Sequence, residues 1–163
     1  MLDERDLNYI IKAHRESLDP KKTTRYWDEK TPYGMHPIWC AMSLLHETSS
    51  PEDLRKDGSQ ALLYHDILED TQFPLPPWLS NRVIGFVKDM TFESSEQEWK
   101  EIWTRPKEII LLKLYDKTSN LMDGIWMQSG KRKEYGEKVS RLCSYVMREY
   151  GELNITRIAR AII

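Results

Sequence analysis

The sequence has little cysteine. Two thiols, Cys40 and Cys143, stand far apart in 163 residues, each among apolar neighbours. Both are expected as buried free thiols, in keeping with a reducing cytosol. An excess of either charge is also lacking. Lys and Arg number 24 against 26 Asp and Glu, for a formal net charge of −2. Nothing in that balance suits a phosphate backbone, so nucleic acid is not an expected partner, whereas a small anionic ligand needs only local charge. No run approaches the roughly 20 apolar residues of a membrane span. The opening Met1-Leu2-Asp3-Glu4-Arg5-Asp6 lacks the basic start and apolar run of a signal peptide. A cytoplasmic protein with no membrane partner is expected. Internal repeats, low-complexity tracts and sustained strand-like alternation are absent too.

What is present is an ordinary folding composition, 31% charged and 40% hydrophobic. The length predicts one domain over residues 1–163, able to bury a core unaided. Leu7, Ile10, Ile11, His14 and Leu18 fall at helical spacing. Residues 20–37 read as an ordered loop of turn-formers and aromatics. Pro37 suits the first turn of a helix carrying Ile38, Ala41, Leu44 and Leu45. Ser49-Ser50-Pro51-Glu52 marks a helix start, and a main helix is predicted from about Gln60 to Asp70. After Pro74, Pro76 and Pro77 another helix places Leu79, Val83, Phe86, Val87 and Met90 on one face. A charged connector over 93–105, with room for a short helix, leads to a long helix from about Pro106 past Asn120. A last pair covers about 134–150 and 153–162. The fold class is all-α.

Polar groups interrupt these apolar helices at four places. His36 opens the second helix. His65 and Asp66 sit between Leu62-Leu63 and Ile67-Leu68, and Asp116 closes the run from Ile109 to Tyr115. A buried imidazole or carboxylate without a partner is costly, and one divalent metal would satisfy all four. Glu69 and Asp70 follow His65 and Asp66 by one helical turn. Lys113, Asp116 and Asn120 share a face at i, i+3 and i+7. Such a set suits a metal-activated water attacking a phosphate ester, with a free carboxylate moving protons and cationic or amide groups holding oxygens. Each piece alone has a plainer reading: a helix-start histidine, a capping or salt-bridged aspartate, a solvated acidic helix end.

Three stretches go further. Thr31-Pro32-Tyr33-Gly34-Met35-His36-Pro37, Ala61-Leu62-Leu63-Tyr64-His65-Asp66-Ile67-Leu68-Glu69-Asp70-Thr71 and Leu112-Lys113-Leu114-Tyr115-Asp116-Lys117-Thr118-Ser119-Asn120-Leu121 resemble, in this order, motifs of the HD-domain superfamily. The likeness is narrower to its RelA/SpoT-type alarmone hydrolases and their small stand-alone relatives. It spans about residues 8–150, with weaker agreement at 83–91. Arg25 falls eleven residues before His36, where that family often places a substrate-contacting arginine.

The resemblance implies a single compact HD-type helical bundle. It implies His36, His65, Asp66 and Asp116 as ligands of one divalent metal, usually manganese, although the mixed donor set alone suits several metals. Glu69 and Asp70 match the pair that positions or deprotonates water. Arg25, Lys113 and Asn120 match groups near the phosphates or ribose, and Tyr135 a tyrosine at the base or ribose end. The implied reaction is hydrolysis of the 3′-pyrophosphate of guanosine 3′,5′-bis(diphosphate) or its pentaphosphate relative, the partner being a small phosphorylated nucleotide. Alternatives are an HD phosphohydrolase of another nucleotide and a catalytically silent nucleotide-binding module. The chain departs from the pattern at Tyr115, where a small residue is usual, and in its short Glu- and Trp-rich connector. It has six tryptophans, at 27, 39, 78, 99, 103 and 126, expected mostly to pack core or interface. Oligomeric state is left open.

Overall fold

A computed structural model describes residues 3–163. Its helices are α1 (Glu4–Arg15), α2 (Met35–Leu45), α3 (Glu52–Tyr64), α4 (Ile67–Asp70), α5 (Asn81–Met90), α6 (Ser95–Glu101), α7 (Lys107–Met122), α8 (Ser129–Tyr150) and α9 (Asn154–Ile162). Short 3-10 turns lie at Pro20–Lys22, Ile102–Thr104 and Gly124–Trp126. Among the described residues the only β pairing is an isolated bridge between Thr24 and Pro32. The all-α reading holds. Among the described residues no helix is long and apolar enough to cross a membrane.

The bundle is organised around α7. Residues 109–116 are buried without interruption, as expected of a helix apolar on every side. It packs on α2, α3, α5, α8 and α9. Where α3 crosses α2 and α7, Gly58 has no room for a side chain. A Cβ there would lie 2.9 Å from Leu44 Cδ2 and 3.0 Å from Leu112 Cδ2. Helix starts carry local caps: Ser80 Oγ accepts from the Val83 amide and Ser94 Oγ from the Gln97 amide, both at 3.2 Å. Gly151 ends α8 at φ +78°, a conformation that favours glycine.

Two buried carboxylates act as structural ties. Asp6 of α1 accepts from Gln60 Nε2 (2.8 Å), the Tyr64 hydroxyl (2.9 Å) and Trp78 Nε1 (2.8 Å), which binds α1 to α3 and to the loop before α5. Glu47, just past α2, accepts from the Asn154 backbone amide at 2.6 Å. It thereby places a negative charge at the positive end of α9. Both cysteines are buried and free.

Two boundaries differ from those predicted. The helix expected over 60–70 joins the one expected near Pro51, and α3 then stops at Tyr64. His65 and Asp66 form a turn before α4 rather than lying mid-helix. The last long helix begins at Ser129, five residues before the expected start.

Candidate metal centre

The turn between α3 and α4 is what presents its two polar residues. Where α3 ends, the carbonyl of Leu62 lies 2.7 Å from His65 Nδ1. With the proton on Nδ1, that nitrogen donates to the carbonyl and leaves the Nε2 lone pair free. His36, in the first turn of α2, is set similarly: its Nδ1 lies 2.8 Å from Ser119 Oγ of α7. Such backing bonds fix ring orientation and tautomer in metal-binding histidines.

Both Nε2 atoms converge on carboxylates. His65 Nε2 is 3.0 Å from Asp66 Oδ1 and 3.7 Å from Asp116 Oδ1. His36 Nε2 is 3.4 Å from Asp116 Oδ1 and 3.6 Å from Asp66 Oδ2. Donor atoms of His36, His65 and Asp116 all lie within 4.8 Å of one another. His36 Nε2, His65 Nε2 and Asp66 Oδ2 are buried without hydrogen-bond partners. Orphaned donors aimed at one point fit a bound cation better than a packed core. The titration behaviour agrees. Burial opposes a charge on His65, yet Asp66 and Asp116 raise its pKa to about 9, so the cluster attracts positive charge. Burial lowers the pKa of His36.

Asp116 is gripped from its other side. Its Oδ2 sits 3.3 Å from Lys113 Nζ and 3.1 Å from Lys117 Nζ. Both lysines also pair at 2.7 Å with Glu98, reaching in from α6. Asn120 Nδ2 donates to Asp116 Oδ1 at 2.7 Å. Burial would push this carboxyl up, but Lys117 and Lys113 hold it well below the usual range. The spacing of Lys113, Asp116 and Asn120 thus gathers them as the sequence suggested. Lys113, however, is 3% exposed and lines none of the cavities beside the centre. It neutralises Asp116 and Glu98 rather than facing a ligand.

Beside the cluster lie a cavity of about 170 Å³ lined by His36, Ser119 and Arg25 and two larger ones. One, of about 410 Å³, is lined by Lys22, Arg25, Tyr26, Trp99, Asn120 and Tyr135, with Trp126, Lys131 and Lys138 farther along. Its aromatic walls form two groups. Trp99 meets Tyr135 edge-on at 6.2 Å, and Tyr26 meets Trp126 at 5.2 Å. Arg25 is fixed at its inner end by Asn120 Oδ1 (2.9 Å) and Asp123 Oδ2 (2.8 Å). The other cavity, about 740 Å³, is lined by Glu69, Asp70, Glu98 and Lys117 together with residues 91–95. Glu69 Oε1 accepts from the Phe92 amide at 2.8 Å. Asp70 Oδ1 is 2.5 Å from Lys22 Nζ. Burial and neighbouring Asp66 raise the Asp70 pKa against the pull of Lys22.

Sequence reasoning named His36, His65, Asp66, Asp116, Glu69, Asp70, Arg25, Asn120 and Tyr135, and the fold brings all nine to this region. It missed Ser119, Glu98, Lys22 and Tyr26. Most tryptophans are expected to pack core or interface. Trp27, Trp78, Trp103 and Trp126 are exposed, and Trp39 and Trp99 are half-buried.

No family model matches the chain, and no curated protein matches it in sequence. A solved structure does. A metazoan ortholog of SpoT that hydrolyzes ppGpp and plays a role in starvation responses aligns with a TM-score of 0.75, over 97% of this chain and 91% of its own, at 22% identity. The chain has that fold. The resemblance drawn from three motifs therefore holds for the fold over nearly all of the chain.

Proposed function

We propose that this chain is a cytoplasmic, single-domain, manganese-dependent phosphohydrolase that removes the 3′-pyrophosphate of guanosine 3′,5′-bis(diphosphate). The observation that carries the reading is the juxtaposition of two features. A buried His–Asp cluster with unpartnered donors adjoins a cavity that has aromatic walls and is also lined by Arg25, Lys22, Asn120 and Asp123. Aromatic faces take a purine, and fixed guanidinium and ammonium groups take phosphate oxygens. The fold shared with a ppGpp hydrolase supports the same substrate.

His36, His65, Asp66 and Asp116 would hold the metal. A divalent ion there would acidify water and draw charge from the phosphoryl oxygens. The protein supplies the rest. Glu69 and Asp70, at the floor of the cavity of about 740 Å³, hold and take the proton of the attacking water. Arg25 and Asn120 position the phosphate next to the cluster, while Tyr135 and Trp99 flank the base. Lys113 and Lys117 keep Asp116 ionised, so it remains a ligand at every physiological pH.

The test is hydrolysis of guanosine tetraphosphate by manganese-loaded and by chelator-stripped protein, with products separated by chromatography. Guanosine diphosphate and pyrophosphate in equal amounts, only with metal, are expected. Asp66→Ala and His65→Ala should lose metal and turnover together. Glu69→Gln should keep the metal and lose about 10²-fold in turnover. Protein that binds no divalent ion, or releases phosphate only from nucleoside monophosphates, overturns the assignment.

A further inference from the structure

Most cations around this site are committed. Arg25 donates to Asn120 and Asp123 and its side chain is 6% exposed. Lys113 and Lys117 are shared between Glu98 and Asp116. Lys138 pairs with Glu134 at 2.7 Å, away from the cluster. Lys22 differs. Its side chain is 27% exposed, it makes one ion pair, with Asp70 Oδ1, and it lines the nucleotide-sized cavity beside Arg25 and Asn120. Among the described residues it is thus the one cation in contact with both a proposed catalytic carboxylate and the space where phosphate would sit.

We infer that Lys22 is a positioning residue that changes partners: it holds Asp70 in the unloaded protein and moves to a phosphate oxygen when substrate enters, which frees Asp70 for water. This rests on the function proposed above.

The local structure allows the exchange without disturbing Asp70. The Lys22 backbone is fixed in its 3-10 turn, where the Lys22 amide donates to the Asp19 carbonyl at 2.9 Å and the Thr23 amide to the Pro20 carbonyl at 3.4 Å. Only its flexible stem needs to swing. Asp70 is anchored independently. Its amide donates to the Asp66 carbonyl at 2.8 Å, and its carbonyl accepts from Ser17 Oγ at 2.8 Å. Departure of Lys22 therefore changes the charge beside Asp70 and leaves its place intact. Lysine suits this role, because an ammonium trades one oxygen for another without the forked geometry of arginine. The exchange also ties activation to the anion: a ligand without phosphate gives Lys22 nothing to move to.

The experiment is a double-mutant cycle on manganese-loaded protein, with wild type, Lys22→Met, Asp70→Asn and the pair. Calorimetry measures affinity for guanosine 3′-monophosphate and for guanosine. Lys22→Met should weaken the phosphorylated probe about tenfold and leave guanosine unchanged. Asp70→Asn releases Lys22 in advance and should tighten the phosphorylated probe about fivefold. That gain should vanish when Lys22 is already methionine. A gain that persists in the double variant reflects only the lost carboxylate charge and overturns the exchange, as does Lys22→Met binding both probes like wild type. If none of the proteins binds either nucleoside probe, the guanosine assignment fails, and inorganic phosphate titrated through the same four proteins decides the exchange. The same pattern of affinities keeps it, and any other removes it.

Discussion

His14 gives the sharpest test of how the fold treats ionisable groups. It lies on α1, 1% exposed, stacked on the Tyr33 ring at 4.8 Å and 25°. Neither of its ring nitrogens has a hydrogen-bond partner. Burial, helped by His65 and His36 and opposed by Asp66, lowers its pKa from 6.5 to about 4. The unfolded chain therefore binds more protons than the folded chain between those values. Stability is complete above pH 6.5 and falls as pH drops toward 4. The full window is worth about 3 kcal/mol, and the part crossed between pH 7 and pH 5 about 2 kcal/mol. For a chain of this length that is roughly 4–8 °C in Tm. Phenylalanine keeps the stack on Tyr33 and removes the titration. Urea unfolding of wild type and His14→Phe, followed by tryptophan fluorescence in chelator at pH 7 and pH 5, isolates the effect. His65, whose raised pKa makes its contribution fall as pH rises toward 9, is common to both proteins and cancels in the difference. Wild type should lose about 2 kcal/mol more than the variant on acidification. Parallel losses in the two proteins would refute the reasoning.

Other outcomes follow from the same geometry. Ser119→Ala removes the oxygen behind His36 Nδ1 and should weaken manganese binding roughly 10–100-fold by calorimetry, whereas an unchanged affinity would leave Ser119 no orienting role. Gly58→Ala forces a methyl against Leu44 and Leu112 and should cost about 1–3 kcal/mol in denaturant melts. A neutral result would mean that α2, α3 and α7 can separate locally. Glu98→Ala leaves Lys113 and Lys117 with Asp116 alone and should destabilise by about 3 kcal/mol or more, measured the same way. Trp99→Ala removes one wall of the aromatic cavity and should raise KM for guanosine tetraphosphate roughly 5- to 100-fold, with kcat little changed. Equal KM values would place the base elsewhere.

The His–Asp cluster was legible because its residues break an apolar pattern. His65-Asp66 and Asp116 are conspicuous among leucines and isoleucines, and burial of such groups demands a partner. Asp6, Glu47 and Glu98 are buried just as deeply yet gave no signal. Asp6 and Glu98 stand in charged stretches, Asp3 to Asp6 and Glu96 to Glu101, where solvent exposure is the ordinary outcome. Only the folded chain reveals that Glu98 turns inward, because what it meets are two lysines on a helix that follows it. The family resemblance implies Lys113 near the phosphates or ribose, while its ammonium pairs here with Glu98 and Asp116. Helical spacing correctly put it beside Asp116, but spacing does not say which way an ammonium faces. The break after Tyr64 was hidden as well. No glycine or proline marks it, and the bond between the His65 ring and the Leu62 carbonyl is a tertiary choice. Helix boundaries set by proline, as at Pro51 and Pro106, were read closely.

The tie between Glu47 and Asn154 has a consequence for biogenesis. A carboxylate that is 1% exposed in the finished protein finds its partner amide 107 residues later. At about 5–20 residues per second, a ribosome takes some 5–20 s to make the stretch between them. Throughout that interval the nascent chain cannot seal the end of α2 without stranding a charge in oil. Until α9 is made, Glu47 lacks the amide that holds it, and a chain cut short before α9 would leave that carboxylate without this partner.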